Sequence, residues 1–199
     1  MWYNRLSEYL LKEGYVNNPI CPCVFIKKSK FGLIIIAVYV DDLNLIGTLE
    51  ELTKVANYLK KEFEMKDLGK IRYCLSLQIE HCSNDILVYQ STYIEKVLKR
   101  LYMYKSHLTN SPMVVRSLEV NKDSFRPKKN EELLGLEVPY LNAISALMHL
   151  ANCTKPDIAF SVNLLARYSY APIKRHWNGI KHILLYLHRT SGMGLHYSK

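Results

Sequence analysis

The chain alternates between short apolar runs and amphipathic stretches, and the two periods predict its elements. Leu33-Ile-Ile-Ile-Ala-Val-Tyr-Val40 is an unbroken apolar run rich in β-branched residues, and reads as a strand buried on both faces. Asp41 and Asp42 follow at once, and then a second apolar stretch, Leu43-Asn-Leu-Ile-Gly47. The pattern is that of a β-hairpin carrying two carboxylates at its tip. Ahead of it, residues 23–27 form another strand. Trp2, Leu6, Tyr9 and Leu10 mark one face of a helix that ends at Gly14. Behind it, Thr48-Leu-Glu-Glu51 has the form of a capping box, and opens a helix with Leu52, Val55, Leu59 and Phe63 directed inward.

A long strand over residues 71–79, a turn at Ser83-Asn-Asp85 and a strand over 86–89 come next. Ser91 caps a basic helix with Ile94, Val97, Leu98 and Leu101 on its apolar side. Between residues 105 and 137 no period is sustained, which marks a connection between domains. Three helical segments follow over 140–154, 157–168 and 173–189, punctuated by Pro156 and Pro172. The last carries Ile173, Trp177, Ile180, Ile183, Leu184 and Leu187 as its apolar stripe, and Leu195-His-Tyr197 reads as a short strand. The expected class is α+β, with a mainly antiparallel sheet over 1–104, an irregular linker over 105–137 and a helical region over 138–199.

Bulk composition narrows the class. With 199 residues, 49% hydrophobic and 23% charged, the chain has the balance of a globular protein with a sizeable core. No apolar run approaches the roughly 20 residues of a membrane helix, and the N-terminus lacks the basic-then-apolar build of a signal peptide. The expectation is a soluble intracellular protein, cytoplasmic or nuclear, without an address signal and without a membrane partner. Five cysteines form no zinc pattern: Cys21-Pro-Cys23 has too short a spacing, and the seven histidines are scattered. The net charge of +9 is uneven. Residues 1–99 hold 13 Lys+Arg against 12 Asp+Glu, and residues 100–199 hold 14 against 6, a balance of +8. A basic half suits a polyanion such as a nucleic-acid backbone, and equally suits a surface kept basic for solubility.

Two positions carry candidate chemistry. Adjacent carboxylates repel, and keeping both ionised beside an apolar sheet is costly unless a cation sits between them. Hard divalent ions such as Mg²⁺ favour such oxygen ligands; a solvated acidic turn is the plain alternative. On the last helix, Lys174, Asn178, Lys181 and His188 share a face opposite the apolar stripe. That face suits contact with a nucleic-acid backbone, or is solvated surface.

Tyr39-Val-Asp-Asp42 at a hairpin tip resembles the polymerase motif of reverse transcriptases, and the surrounding blocks resemble the copia-type retrotransposon enzymes. Those blocks are Trp2-Tyr-Asn-Arg-Leu6, Asp67-Leu-Gly69 with residues 73–80, residues 140–160 with Leu150-Ala-Asn-Cys-Thr-Lys-Pro-Asp-Ile-Ala-Phe160, and Leu165-Ala-Arg-Tyr168 through His176-Trp-Asn-Gly-Ile-Lys-His182. The resemblance covers essentially the whole chain. It implies part of a polymerase palm followed by a thumb and connection-like region, acting on an RNA template, a DNA primer, their hybrid and deoxynucleoside triphosphates. It implies Mg²⁺, or Mn²⁺ in its place, held by Asp41 and Asp42 with Tyr39 and Val40 supporting the hairpin. It also assigns Tyr73, Leu75, Ser76 and Leu77 to the strand that positions the primer. The family's usual Phe-Leu-Gly is Cys74-Leu-Ser76 here. A further aspartate, the fingers and an RNase H domain lie outside the matching part, so a fragment inactive alone is expected; the alternative is a catalytically dead nucleic-acid-binding or interaction remnant. The sequence is silent on oligomeric state.

Overall fold

Alternating burial along one strand organises the N-terminal half. The computed structural model describes residues 2–29, 32–103, 109–113, 125–126, 131–135 and 137–198. The chain divides into two compact units, Met1–Ile71 and Arg72–Lys199. In the first, helix α1 (Trp2–Lys12) leads through Gly14 (φ +84) into strands β1 (Val16–Asn17), β2 (Val24–Ser29), β3 (Gly32–Tyr39) and β4 (Asp42–Ile46), and then helix α2 (Leu49–Glu62). The strands make one antiparallel sheet in the order β1-β2-β3-β4.

β3 is not buried on both faces as its unbroken apolar run suggests. Ile34, Ile36 and Val38 are buried, whereas Leu33 and Tyr39 are exposed and Ile35 and Ala37 half-buried. Both helices pack on the same side: Leu6 and Leu10 of α1, and Val55, Leu59 and the following Phe63 of α2, join Phe25, Ile34, Ile36 and Val38 in one core. A strand's period of two then consigns the intervening residues to the other side. The turn into α2 also departs from expectation. Thr48 is the residue before the helix, but its hydroxyl donates to the Glu51 carboxylate at 3.1 Å instead of capping a backbone N–H. Glu51 is buried while Leu52 is only half-buried.

The second unit holds β5 (Tyr73–Cys74), β6 (Leu77–His81), β7 (Asp85–Tyr89), helices α3 (Ser91–Arg100), α4 (Tyr140–Cys153), α5 (Ala159–Ala166, preceded by a 3₁₀ turn at Pro156–Ile158) and α6 (Lys174–Arg189), and finally β8 (Leu195–Ser198). Its sheet is again antiparallel, β5-β6-β7-β8, and β8 closes it by pairing Leu195 with Val88 and Ser198 with Asp85. Ile94, Val97 and Leu98 of α3 pack with Leu147 and Leu150 of α4, Val162 and Leu165 of α5, and Ile180, Ile183, Leu184 and Leu187 of α6. Burying a side chain of this size contributes about 1.5–3 kcal/mol. Because α3 belongs to this core, the division between compact units falls at Ile71, ahead of the irregular stretch over 105–137 where the sequence places the break. Most of that stretch, and residues 30–31 between β2 and β3, lie outside the described residues.

His176, on the N-terminal turn of α6, is fully buried. Its Nδ1 accepts the Ile173 backbone N–H at 3.2 Å, so its Nε2–H donates to the Phe125 carbonyl at 2.7 Å. The ring stacks on Tyr168 with centroids 3.9 Å apart. One turn on, Gly179 admits Phe125 and Leu165, whose atoms lie 2.9–3.1 Å from where a Cβ would stand.

The expected long strand over 71–79 is two strands. Leu75 (φ +49) and Ser76 (φ +70) turn the chain back, so that Cys74 pairs with Leu77 and Tyr73 with Gln78. Two consecutive residues in the left-handed region make the tight turn that normally selects Asn and Gly. A non-glycine residue there costs about 1–2 kcal/mol, against which glycine adds unfolded-chain entropy. Ser76→Gly should therefore raise the unfolding free energy by about 0.5–1 kcal/mol, read as a higher urea midpoint at unchanged slope, and Ser76→Val should lower it.

Candidate functional site

The face of the first sheet opposite α1 and α2 carries the acidic hairpin. β3 and β4 pair with Val38 opposite Leu43 and Tyr39 opposite Asp42. Leu43 and Leu45 pack toward the core shared with Ile36 and Val38. Alternation sends Asp42 and Asn44 to the side of Tyr39 and Ala37, away from both helices. The turn itself is Val40-Asp41. Val40 has φ +53, a conformation that β-branched residues avoid. It is also 71% exposed, so no burial of its side chain compensates the strain. Backbone strain of this kind clusters at functional positions. Its effect here is to reverse the chain within two residues and to leave both carboxylates exposed on consecutive positions.

The donor set can be tested against a hard cation. Asp41 and Asp42 offer oxygen ligands, and Mg²⁺ commonly takes one or two carboxylates together with substrate phosphates and water. The pair fits that share of a site. Among the described residues, no group of three or more His, Cys, Asp and Glu side chains is placed to hold a metal. The hairpin therefore supplies two acids and no further one.

The remaining expected residues lie in the second unit. Tyr73, Leu75, Ser76 and Leu77 sit on the β5–β6 hairpin; Tyr73 is 53% and Leu75 51% exposed, so the tip presents an aromatic and an aliphatic side chain to solvent. On α6, Lys174, Asn178, Lys181 and His188 fall on one face at spacings of four, three and seven residues. Lys174 and Asn178 are exposed, whereas Lys181 and His188 are half-buried, with the Lys181 ammonium 6.0 Å from the centroid of Trp177. α3 adds Lys96, Lys99 and Arg100, all exposed, and it packs against α6. No helix among the described residues is long and apolar enough to cross a membrane.

Comparison with known proteins shows the family. The family model described as reverse transcriptase (RNA-dependent DNA polymerase) matches residues 1–115. The chain is 34% identical over 96% of its length to the retrovirus-related Pol polyprotein from transposon TNT 1-94 of Nicotiana tabacum, and 28% identical over its full length to that from transposon RE2 of Arabidopsis thaliana. It spans only 15% and 13% of those two proteins. A transposon Ty5-1 protein of Saccharomyces cerevisiae is 30% identical over 99% of the chain, which spans 62% of that protein. No solved structure matches.

Sequence reasoning missed Gln78, whose role exists only once the strands have paired. Its side-chain oxygen accepts the Ser91 hydroxyl and the Thr92 backbone N–H, each at 2.9 Å. Ser91 is thus the first residue of α3 and not its cap. The cap comes from a neighbouring strand, and it ties the β5–β6 hairpin to the helix. No local signal announces it, because a glutamine thirteen residues upstream is outside every capping pattern. Gln78→Leu should lower the unfolding free energy by about 1–2 kcal/mol, and should speed amide exchange at Thr92 ahead of the rest of α3.

Proposed function

The chain belongs to the reverse transcriptase (RNA-dependent DNA polymerase) family, in its copia-type retrotransposon branch, and from there we propose that it forms part of the palm and the thumb of such a polymerase. The observation that carries the reading is the pair of exposed carboxylates at a strained hairpin tip, with Asp42 on the sheet face opposite both helices of its unit. Asp41 and Asp42 hold Mg²⁺, or Mn²⁺ in its place, for transfer of a nucleotide to a primer 3′-hydroxyl. When bound, such ions make the attacking hydroxyl more acidic and neutralise charge on the leaving pyrophosphate. Tyr39, opposite Asp42, shapes the hairpin's open face. Tyr73 and Leu75 at the tip of the β5–β6 turn bear on the primer, with Ser76 and Leu77 setting that turn. Lys174, Asn178, Lys181 and His188 contact the backbone of an RNA–DNA hybrid.

Two carboxylates are too few for the full reaction. Residues 1–40 carry acids only at Glu8, on α1, and Glu13, just past its end. Losing one ligand of a two-cation site removes several kcal/mol of transition-state stabilisation, about 1.4 kcal/mol for each tenfold in rate. The chain by itself is therefore proposed to bind nucleic acid without extending a primer.

Primer extension on a primed RNA template with Mg²⁺ and all four deoxynucleoside triphosphates should give no product, while RNA–DNA hybrid binding remains detectable at low salt. Product that disappears in Asp41→Asn would overturn the inactivity and support the metal assignment; absence of binding would remove the thumb role. A second outcome follows from counterion release. Affinity for the hybrid should fall steeply with salt, and Lys174→Ala with Lys181→Ala should reduce the slope of log affinity against log salt by about 2.

A further inference from the structure

The junction between α3 and α4, in the second unit, holds a second cluster of chemically active side chains. Gln90, the residue before α3, is fully buried, and Thr154, the residue after α4, is 2% exposed. Their side chains are hydrogen-bonded at 2.8 Å. The other end of the Gln90 amide lies 3.1 Å from His149 Nε2. His149 Nδ1 in turn lies 3.8 Å from the sulfur of Cys153, one helical turn further along α4. Tyr93 packs edge-on against the same imidazole, with centroids 5.0 Å apart at 70°. The ring is thus held on one side by an amide that is itself anchored, and on another by an aromatic edge. Its Nδ1 faces a half-buried thiol.

The geometry points to a binding site for a thiophilic divalent cation, Zn²⁺ or one of similar softness, chelated by His149 Nδ1 and Cys153 Sγ. Zinc bonds of about 2.3 Å to sulfur and about 2.0–2.1 Å to nitrogen, at a tetrahedral angle, set the two donors about 3.6 Å apart. The observed 3.8 Å needs only a small side-chain adjustment. A metal-bound imidazole is usually oriented by a hydrogen bond from its other nitrogen. Gln90 supplies it: with the amide turned over, its oxygen accepts the Nε2 proton and its NH₂ donates to the Thr154 hydroxyl, which can both donate and accept. Binding replaces the thiol proton by the metal, so one proton is released for each ion taken up. No group of three His, Cys, Asp or Glu ligands exists among the described residues, so water fills the remaining positions and the ion exchanges. The donors also separate this site from the hairpin by chemistry, since nitrogen and sulfur select soft cations and carboxylates select hard ones.

The test is a titration of the full chain with Co²⁺ alone, in a Cys21→Ser, Cys23→Ser, Cys82→Ser background that removes the exposed thiols. A sulfur-to-cobalt charge-transfer band should rise to one equivalent and be displaced by Zn²⁺. Cys153→Ser should abolish it, and His149→Ala, which keeps the thiol, should weaken apparent binding at least about tenfold. Zn²⁺ should also raise the melting temperature of the parent, and not that of Cys153→Ser. Should Cys153→Ser fail to fold, the same comparison runs with Cys153→Ala and His149→Gln. No band in the parent, a band that survives loss of Cys153, indifference to His149, or a band lost only in Asp41→Asn would each overturn the site.

Discussion

One-sided burial of β3 is the constraint on which the acidic hairpin depends. Ile34, Ile36 and Val38 are held against α1 and α2, and a pleated strand has no choice about the residues between them. Slipping the register by one residue would expose three large aliphatic side chains and place Tyr39 and Asp42 against the helices. At about 1.5–3 kcal/mol for each buried aliphatic, the core decides which way the carboxylates face. The strained Val40 turn is tolerated because the register on both sides of it is held so strongly. The core therefore sustains a conformation that the turn would not choose for itself.

The second unit relies on hydrogen bonds that reach across elements. Gln78 caps α3 from a strand, His176 ties the start of α6 to the Phe125 carbonyl, and the buried Lys155 ammonium donates to the Thr190 carbonyl just past the end of α6. Burial pushes the Lys155 ammonium down from its usual range, while the nearby Asp157 opposes that shift. Asp157 also accepts from the Tyr186 hydroxyl, whose pKa is pushed up to about 12 mainly by that hydrogen bond. Each contact satisfies a helix end or a buried polar group that would otherwise be costly. Together they explain why polar residues such as Gln90, Thr154 and His176 sit among the leucines and isoleucines of this bundle.

Two kinds of ligand chemistry emerge in one chain. Hard oxygens lie on an exposed, strained turn. Softer nitrogen and sulfur donors lie at a helix junction, oriented by a buried amide. Softness of the donors, more than charge, separates what each can bind.

Local periodicity was enough to identify α1, α2, α3 and α6, the β3–β4 hairpin and the late strand β8, since each buries a stripe or face recorded in its own residues. The tetrapeptide Tyr39-Val-Asp-Asp42 and the blocks around it were likewise legible, and they led to the family that the comparisons identify. Other features were not legible. The run over 71–79 looks like one strand because apolar content does not reveal a left-handed pair at Leu75 and Ser76. Thr48 and Ser91 look like caps because their neighbours fit a local pattern, although Glu51 and Gln78 offered them other partners. The eight-residue apolar run at Leu33 suggests two buried faces, yet both helices settled on one. By itself, the sequence determined which residues seek burial, where the turns fall and which acids stand together. Only the tertiary structure decided which face is covered, where the chain folds back and which distant side chains meet, because those outcomes depend on contacts between segments that no local pattern encodes.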